Sequence, residues 1–257
     1  MHRWETGTSE QSAQPPAQEQ KPAQPQSPLI PRQSPPVPTT PVYTGPVIVL
    51  DAAHGGTDNG ARGETGAIEK DLVLDYARMV RSELESQGFH VALTRNDDSN
   101  PSYADRAAMA NAYRDAIFIS LHVSSMGTFG TVHTYYYKFG SAPVGPPMSP
   151  TAALKGGLPA NSLVRWDEAQ LTHMDASRNL ADALQVQLAQ RFSGSPSTAT
   201  PAAVRQLRSV DVPAVAIEIA SVSVQDPNTL PALAAPLAVA VARGLQAFRT
   251  ATTPKTN

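Results

Sequence analysis

The chain has 257 residues, which is enough for one large domain or two small ones. It contains no cysteine, which excludes disulfides, thiolate metal sites and a cysteine nucleophile, and its net charge of −2 argues against a nucleic-acid-binding protein. Hydrophobic residues make up 41% of the chain and allow a sizeable core. We see no apolar run of the roughly 20 residues that a transmembrane helix needs, and no export signal in the polar N-terminal sequence.

The prolines are concentrated near the N-terminus. Eleven of the 24 lie between Pro15 and Pro46, among Gln, Ser, Ala and Thr. Such a composition buries too little apolar surface to offset the entropy lost on ordering. We therefore expect a disordered Pro-rich tether at residues 1–45, one domain at residues 46–250 and a short tail at residues 251–257.

Beyond residue 46, short apolar runs alternate with amphipathic stretches. In chain order we predict a strand at residues 47–50, a helix at 68–87, a strand at 89–94, a helix at 102–113, and strands at 116–121 and 131–138. A loop-like insertion at 140–165 is followed by a predicted helix at 167–192, a loop to 201, a strand at 212–219 and a helix at 235–248. This alternation predicts an α/β fold, with a mixed, mostly parallel β-sheet and helices on both faces.

Four polar side chains stand out by their position. Three lie at or near the ends of predicted apolar strands, and one begins a predicted helix. His54 follows the first strand, His122 follows the strand at 116–121, Glu218 lies near the end of the last strand, and Glu69 begins the first helix. Ligands of open α/β sheets bind at the carboxyl ends of the strands, where these side chains would meet. Each has a simpler interpretation: a solvated histidine, a salt bridge for Glu218, or a helix-dipole contact for Glu69.

Taken together, the four residues suggest a metal site. Two imidazoles and a carboxylate can hold zinc with one coordination position open, and a further carboxylate nearby can act as general base. A zinc hydrolase is therefore one interpretation of the pattern, beside a structural role for each residue.

A set of short motifs follows in order along the chain: residues 47–61, Glu69-Lys70, Leu93-Thr94-Arg95, Arg106 with Ala110-Asn111, Phe118 to His122, Gly130 with Thr134 to Tyr136, Leu207-Arg208, and Pro213 to Glu218. This ordered set resembles the motifs of a known family, the zinc-dependent N-acetylmuramoyl-L-alanine amidases of bacterial cell walls (amidase type 3).

The resemblance implies a reaction, a cofactor and a location. It implies zinc held by His54, Glu69 and His122, with Glu218 as catalytic general base, and hydrolysis of the amide between N-acetylmuramic acid and L-alanine in peptidoglycan. Arg208 is a candidate for substrate binding. We expect peptidoglycan as partner, a monomer, no nucleic acid, and a location in the cell envelope, periplasmic or secreted.

Some features depart from the family pattern. Ala52-Ala53 replaces Pro-Gly before His54, and the residues after His122 and Glu218 also differ. Some family members carry a helix that plugs the active site until a protein activator displaces it, and Asp167, Glu168 and His173 could reach the zinc in such an arrangement. A surface insertion followed by an ordinary helix is the alternative.

Three other functions stay open at this point. The chain could be a weakly active or inactive peptidoglycan-binding protein on the same fold, a cell-wall metallocarboxypeptidase, or a scaffold without a metal.

Overall fold

A computed structural model describes residues 45–138, 166–223 and 226–252 of the chain. The predicted tether, all but residue 45, and the predicted insertion at 140–165 lie outside the described residues. The strands are β1 (Val47–Ala52), β2 (His90–Leu93), β3 (Ala116–Ser124), β4 (Val132–Tyr137), β5 (Thr200–Ala202) and β6 (Ala214–Ala220). The α-helices are α1 (Glu69–Ser86), α2 (Tyr103–Asn111), α3 (Met174–Arg191) and α4 (Ala234–Thr252).

The six strands form one mixed sheet in the order β2-β1-β3-β6-β4-β5. The pairs β1–β2, β1–β3, β3–β6 and β4–β5 are parallel, and β4–β6 is antiparallel. The expectation of a mixed, mostly parallel sheet is therefore confirmed. Because β1, β3 and β6 run side by side in the same direction, their carboxyl ends lie together at one edge of the sheet.

Helices cover both faces of the sheet, as expected. On the larger face α1, α3 and α4 pack on alternate residues of the strands, such as Leu50, Leu121 and Ile217. On the smaller face α2 and a 3₁₀ helix at Arg205–Leu207 cover Val49 and Phe118. Side chains of a strand alternate between faces. Asp51, His122 and Glu218 therefore point to the smaller face, and this face carries the site.

Several predicted boundaries are close to the observed ones, and two predictions were wrong. A capping box at Ser102 and Asp105 starts α2 close to the predicted position. The predicted helix at 167–192 divides into a 3₁₀ helix, Trp166–His173, and α3. Gln170 ties the first part to neighbouring backbone through bonds to the carbonyls of Val210 and Val212. The strand β5 falls at the end of the predicted loop.

Among the residues that the structure describes, one helix is long and apolar enough to cross a membrane, whereas we expected none from the sequence. It covers Pro231–Ala251 and includes most of α4, and 50% of it is buried inside the fold. α4 packs against α1 and α3 in the core. This is the behaviour of the central helix of a folded domain.

Candidate metal centre

The loop after β1 places His54, and two arginines hold that loop. Arg95 donates from Nε to the carbonyl of Ala52 (2.8 Å) and from Nη2 to that of Ala53 (2.9 Å). Arg106 donates to the carbonyls of Ala52 and His54, both at 2.8 Å. Three successive carbonyls are thus satisfied by charged donors, which fixes the backbone from which His54 extends.

A buried carboxylate anchors Arg106. Asp51 Oδ1 accepts from Arg106 Nη1 and from Thr94 Oγ1, both at 2.6 Å, and Asp51 Oδ2 accepts from Ser120 Oγ at 2.7 Å. The side chains of Arg106 and Asp51 are 4% and 2% exposed. The ion pair is therefore buried next to the loop after β1, and hydrogen bonds compensate both of its charges.

Glu69 joins the two histidines. Its Oε1 accepts from His122 Nδ1 (3.0 Å) and from the backbone N–H of Val123 (3.0 Å). Its Oε2 accepts from the N–H of Ala61 (2.7 Å) and lies 3.2 Å from His54 Nε2. One ligand atom from each of His54, Glu69 and His122 lies within 4.8 Å of the others, so one ion could contact all three.

Contacts within this cluster favour the charged forms of His54 and Glu69. The hydrogen bond with Glu69 raises the pKa of His54 above its ordinary value; partial burial opposes this change, and Asp58 adds to it. Burial by itself would raise the pKa of Glu69, but hydrogen bonds from His122 and His54 outweigh it and hold that pKa well below its usual range. Glu69 is therefore an anion at neutral pH, as a metal-binding carboxylate must be.

Asp58 orients His54 from the other side of the ring. Its Oδ2 accepts from His54 Nδ1 at 2.8 Å, and its Oδ1 accepts from the N–H of Gly60 at 3.1 Å. The other ring nitrogen, Nε2, is left facing Glu69. Metal-binding histidines commonly use this arrangement, in which a carboxylate holds the nitrogen that does not bind the metal.

Glu218 lies beside His122 on the neighbouring strand. The two residues are register partners between β6 and β3, and residues in register share a face of the sheet. Tyr135 Oη donates to Glu218 Oε1 at 3.4 Å. Burial and the adjacent Glu218 carboxylate raise the pKa of Tyr135. No salt bridge to Glu218 is present within the described part of the chain, and its side chain is partly exposed because a cavity opens beside it.

Two cavities meet at His122. The first, of about 360 Å³, is lined by His54, Asp58 and the N-terminal end of α2, including Tyr103. The second, of about 300 Å³, contains Glu218, Tyr135 and small apolar residues. His122 and Gln206 line both. A substrate that spans the two cavities would pass the candidate ligands and Glu218.

The remaining predicted residues lie elsewhere. Arg208 is exposed and is not among the residues that line the two cavities. His173 contacts Asp211 at 3.1 Å, ahead of β6. Glu168 is partly buried in the same 3₁₀ helix as Asp167, of whose side chain the structure gives no description. Neither Glu168 nor His173 lines these cavities, so their placement gives no support to a plug.

Sequence reasoning missed Asp58 and Gln206 as members of the site. Asp58 was visible as an acid four residues after a candidate ligand. Gln206 had no such signal, because its amide nitrogen reaches Nε2 of His122 only after β3 and the 3₁₀ helix have packed together.

Residues 48–247 match the family model of N-acetylmuramoyl-L-alanine amidases. The chain belongs to this family. The resemblance inferred from the ordered motifs is therefore confirmed, and the match covers all six strands except Val47, the first residue of β1.

Individual relatives agree with the family assignment. The amidase AmiC of Neisseria meningitidis is 41% identical over 80 residues, which are 31% of this chain and 19% of that protein. The chain thus matches about a fifth of the length of that curated relative.

Solved structures share the fold. The N-acetylmuramyl-L-alanine amidase from Mycobacterium smegmatis aligns with a TM-score of 0.61 at 20% identity, covering 82% of this chain and 99% of that one. The CwlD amidase from Clostridioides difficile, solved in complex with the GerS lipoprotein, aligns with a TM-score of 0.60 at 20% identity, covering 80% of this chain and 100% of that one.

The donor set of the cluster fits zinc. Two imidazole nitrogens and one carboxylate oxygen are the ligands of catalytic zinc sites that keep one position open. Asp58 supplies an outer carboxylate for one histidine, and His54 and His122 line a cavity. The three residues named from the sequence are therefore suited to hold the ion.

Proposed function

We propose that the protein is a zinc-dependent N-acetylmuramoyl-L-alanine amidase. It hydrolyses the amide bond between the lactyl group of N-acetylmuramic acid and L-alanine of the stem peptide. His54, Glu69 and His122 hold the zinc, and Glu218 is the general base. The observation that carries the proposal is that His54, Glu69 and His122 form one cluster, with Glu218 in register beside His122, in a chain that belongs to the amidase family.

Each residue has a defined task in the reaction. Bound zinc supplies Lewis-acid activation of water and of the amide carbonyl. Glu218 Oε accepts the proton of the attacking water and delivers it to the leaving nitrogen of L-alanine. Tyr135 donates a hydrogen bond to Glu218 and so orients the carboxylate. Asp58 and the two arginines fix His54 before substrate arrives, which lowers the cost of organising the site.

The substrate determines where the protein acts. Peptidoglycan lies outside the cytoplasm, so we place the protein in the cell envelope, either periplasmic or secreted, and expect it to act as a monomer. The GerS complex of the CwlD amidase shows that a protein with this fold can take a lipoprotein partner. A protein activator for this chain is part of the proposal.

Product masses test the proposed reaction directly. The full chain, loaded with zinc, is incubated with purified muropeptides, and the products are measured by mass spectrometry. The proposal predicts complete stem peptides with a free L-alanine amine, together with peptide-free muramyl glycan. A chelator should abolish their release, and added zinc should restore it.

Other outcomes separate the alternatives. Loss of a single C-terminal residue from the stem peptide would identify a carboxypeptidase instead of an amidase. Binding of muropeptides without any product would identify a binding protein on the amidase fold. Absence of stoichiometric zinc by elemental analysis would contradict the metal centre itself.

A further inference from the structure

The 3₁₀ helix at Arg205–Leu207 brings a glutamine to the outer edge of the metal centre. Gln206 is partly buried, and its amide nitrogen contacts Nε2 of His122. The other ring nitrogen, Nδ1, faces Glu69 Oε1 at 3.0 Å. Both nitrogens of His122 are therefore assigned: one points to the centre and one to Gln206.

His54 shows the same arrangement with the nitrogens exchanged. Its Nε2 faces Glu69, and its Nδ1 is held by Asp58. Each histidine of the centre thus has one side-chain partner that restrains its ring from outside. On His54 that partner is a carboxylate, and on His122 it is a carboxamide.

A carboxamide suits this position because it can serve two tautomers of His122. With a proton on Nδ1, as the bond to Glu69 requires, Nε2 accepts from the Gln206 amide N–H. When a metal occupies Nδ1, the neutral imidazole carries its proton on Nε2 and needs an acceptor. Rotation of the amide by half a turn presents Oε1 of Gln206 to that proton.

The backbone around Gln206 is held firmly. Asn111 of α2 donates to the carbonyl of Ser209 (3.0 Å) and accepts from the N–H of Asp211 (2.7 Å). Gln170 donates to the carbonyls of Val210 and Val212. Leu207 is fully buried beneath the segment. The Gln206 side chain therefore extends from a fixed base, as a positioning residue must.

We infer that Gln206 is a positioning residue of the zinc centre: it fixes the ring of His122 through Nε2 and thereby sets the affinity for zinc. The inference rests on the proposed function only for the identity of the metal. Gln206 also lies in the wall shared by the two cavities, so its loss should alter the path of the substrate as well.

Three variants of the full chain test the inference by competition for zinc with a chromophoric chelator. Gln206→Met keeps the length of the side chain and removes the hydrogen bond, so zinc should bind about 10- to 100-fold more weakly. Gln206→Glu keeps an acceptor for the Nε2 proton, so its zinc affinity should equal or exceed that of the wild type. Gln190→Met, on the exposed side of α3, is the matched control and should leave the affinity unchanged.

The spectrum of the cobalt-substituted protein provides a second readout. The d–d bands report the ligand geometry, so they should shift in Gln206→Met and remain close to wild type in Gln206→Glu, with unchanged circular dichroism in both. The inference is overturned if Gln206→Met binds zinc within twofold of wild type, or if Gln206→Glu is as weak as Gln206→Met. A wild type that binds zinc but cleaves no muropeptide would overturn the proposed activity and leave this inference standing.

Discussion

His54 occupies a backbone conformation that side chains rarely adopt. Its φ is +62°, and among the described non-glycine residues it alone has a positive φ. The family pattern has glycine one position earlier, where this chain has Ala53. The left-handed residue here is the histidine itself, and the bonds from Arg95 and Arg106 to the surrounding carbonyls offset the local strain.

A glycine is required at position 60 because the backbone there lies close to two of the candidate zinc ligands, Glu69 and His54. A Cβ at this position would lie 2.4 Å from Glu69 Oε2 and 2.6 Å from Cδ2 of His54. We predict that Gly60→Ala weakens zinc binding by at least about tenfold, since the ligands must move apart to admit the methyl group. Chelator competition measures the change.

Gly66→Ala is the matched control for this variant. Gly66 also has a positive φ, +91°, but no atom lies within 4 Å of a Cβ built there. Both variants therefore carry backbone strain, and only Gly60→Ala disturbs the ligands. Equal zinc affinities in the two variants would show that the contact with Glu69 is unimportant.

At the scale of the elements, Arg106 connects α2 to β1 and to the loop that follows it. Arg106 extends from α2 to Asp51 in β1 and to the loop carbonyls. We predict that Arg106→Met lowers the free energy of unfolding by about 3–5 kcal/mol, because Asp51 is left buried without its counter-charge. Urea unfolding followed by circular dichroism measures this loss.

Arg81→Met provides the comparison. Arg81 pairs with Glu85 at 2.7 Å on the solvent side of α1, where both side chains are more than a third exposed. An exposed i,i+4 pair contributes only about 0.3–0.5 kcal/mol. A loss in Arg106→Met as small as that in Arg81→Met would contradict the anchoring role of the Asp51–Arg106 pair.

The helices α1 and α2 could be predicted from the sequence because the spacing of apolar residues or a capping motif identifies them. The apolar positions of α1 repeat at helical spacing, and the capping box at Ser102 begins α2. β5 could not be predicted in this way. It has three residues, one of them Pro201, and it forms only because β4 offers a partner edge.

The candidate site was predictable for a related reason. His54, His122 and Glu218 lie at or just beyond the ends of adjacent parallel strands, so topology alone brings them together. Gln206 and Asp58 support those residues across loops, and no period or spacing encodes such contacts. The same limit explains Arg95 and Arg106: the sequence shows two charged residues, and only packing shows that both are buried at 3% exposure.

At the scale of the whole molecule, α3 and α4 pack so closely that one glycine separates them. A Cβ at Gly244 of α4 would lie 2.7 Å from Cδ2 and 2.8 Å from Cα of Leu184 in α3. The second contact is with backbone, so a side-chain rotation cannot relieve it.

We predict that Gly244→Ala destabilises the fold despite the better helix propensity of alanine. Overpacking a core costs about 1–3 kcal/mol, and the helical gain of about 1 kcal/mol offsets only part of it. Thermal unfolding should show a lower Tm with zinc affinity unchanged, since the contact lies on the sheet face opposite the site. A higher Tm would mean that the two helices can separate freely.

The most direct test of the account compares wild type with Glu218→Gln in one muropeptide digestion, with the zinc content of both samples measured. The substitution preserves shape and removes the proton acceptor of a residue that lies beside the cluster but is not one of its three members. The account predicts one zinc per chain in both proteins and a loss of stem-peptide release of at least about 100-fold in the variant. Release at the wild-type rate by Glu218→Gln would contradict it.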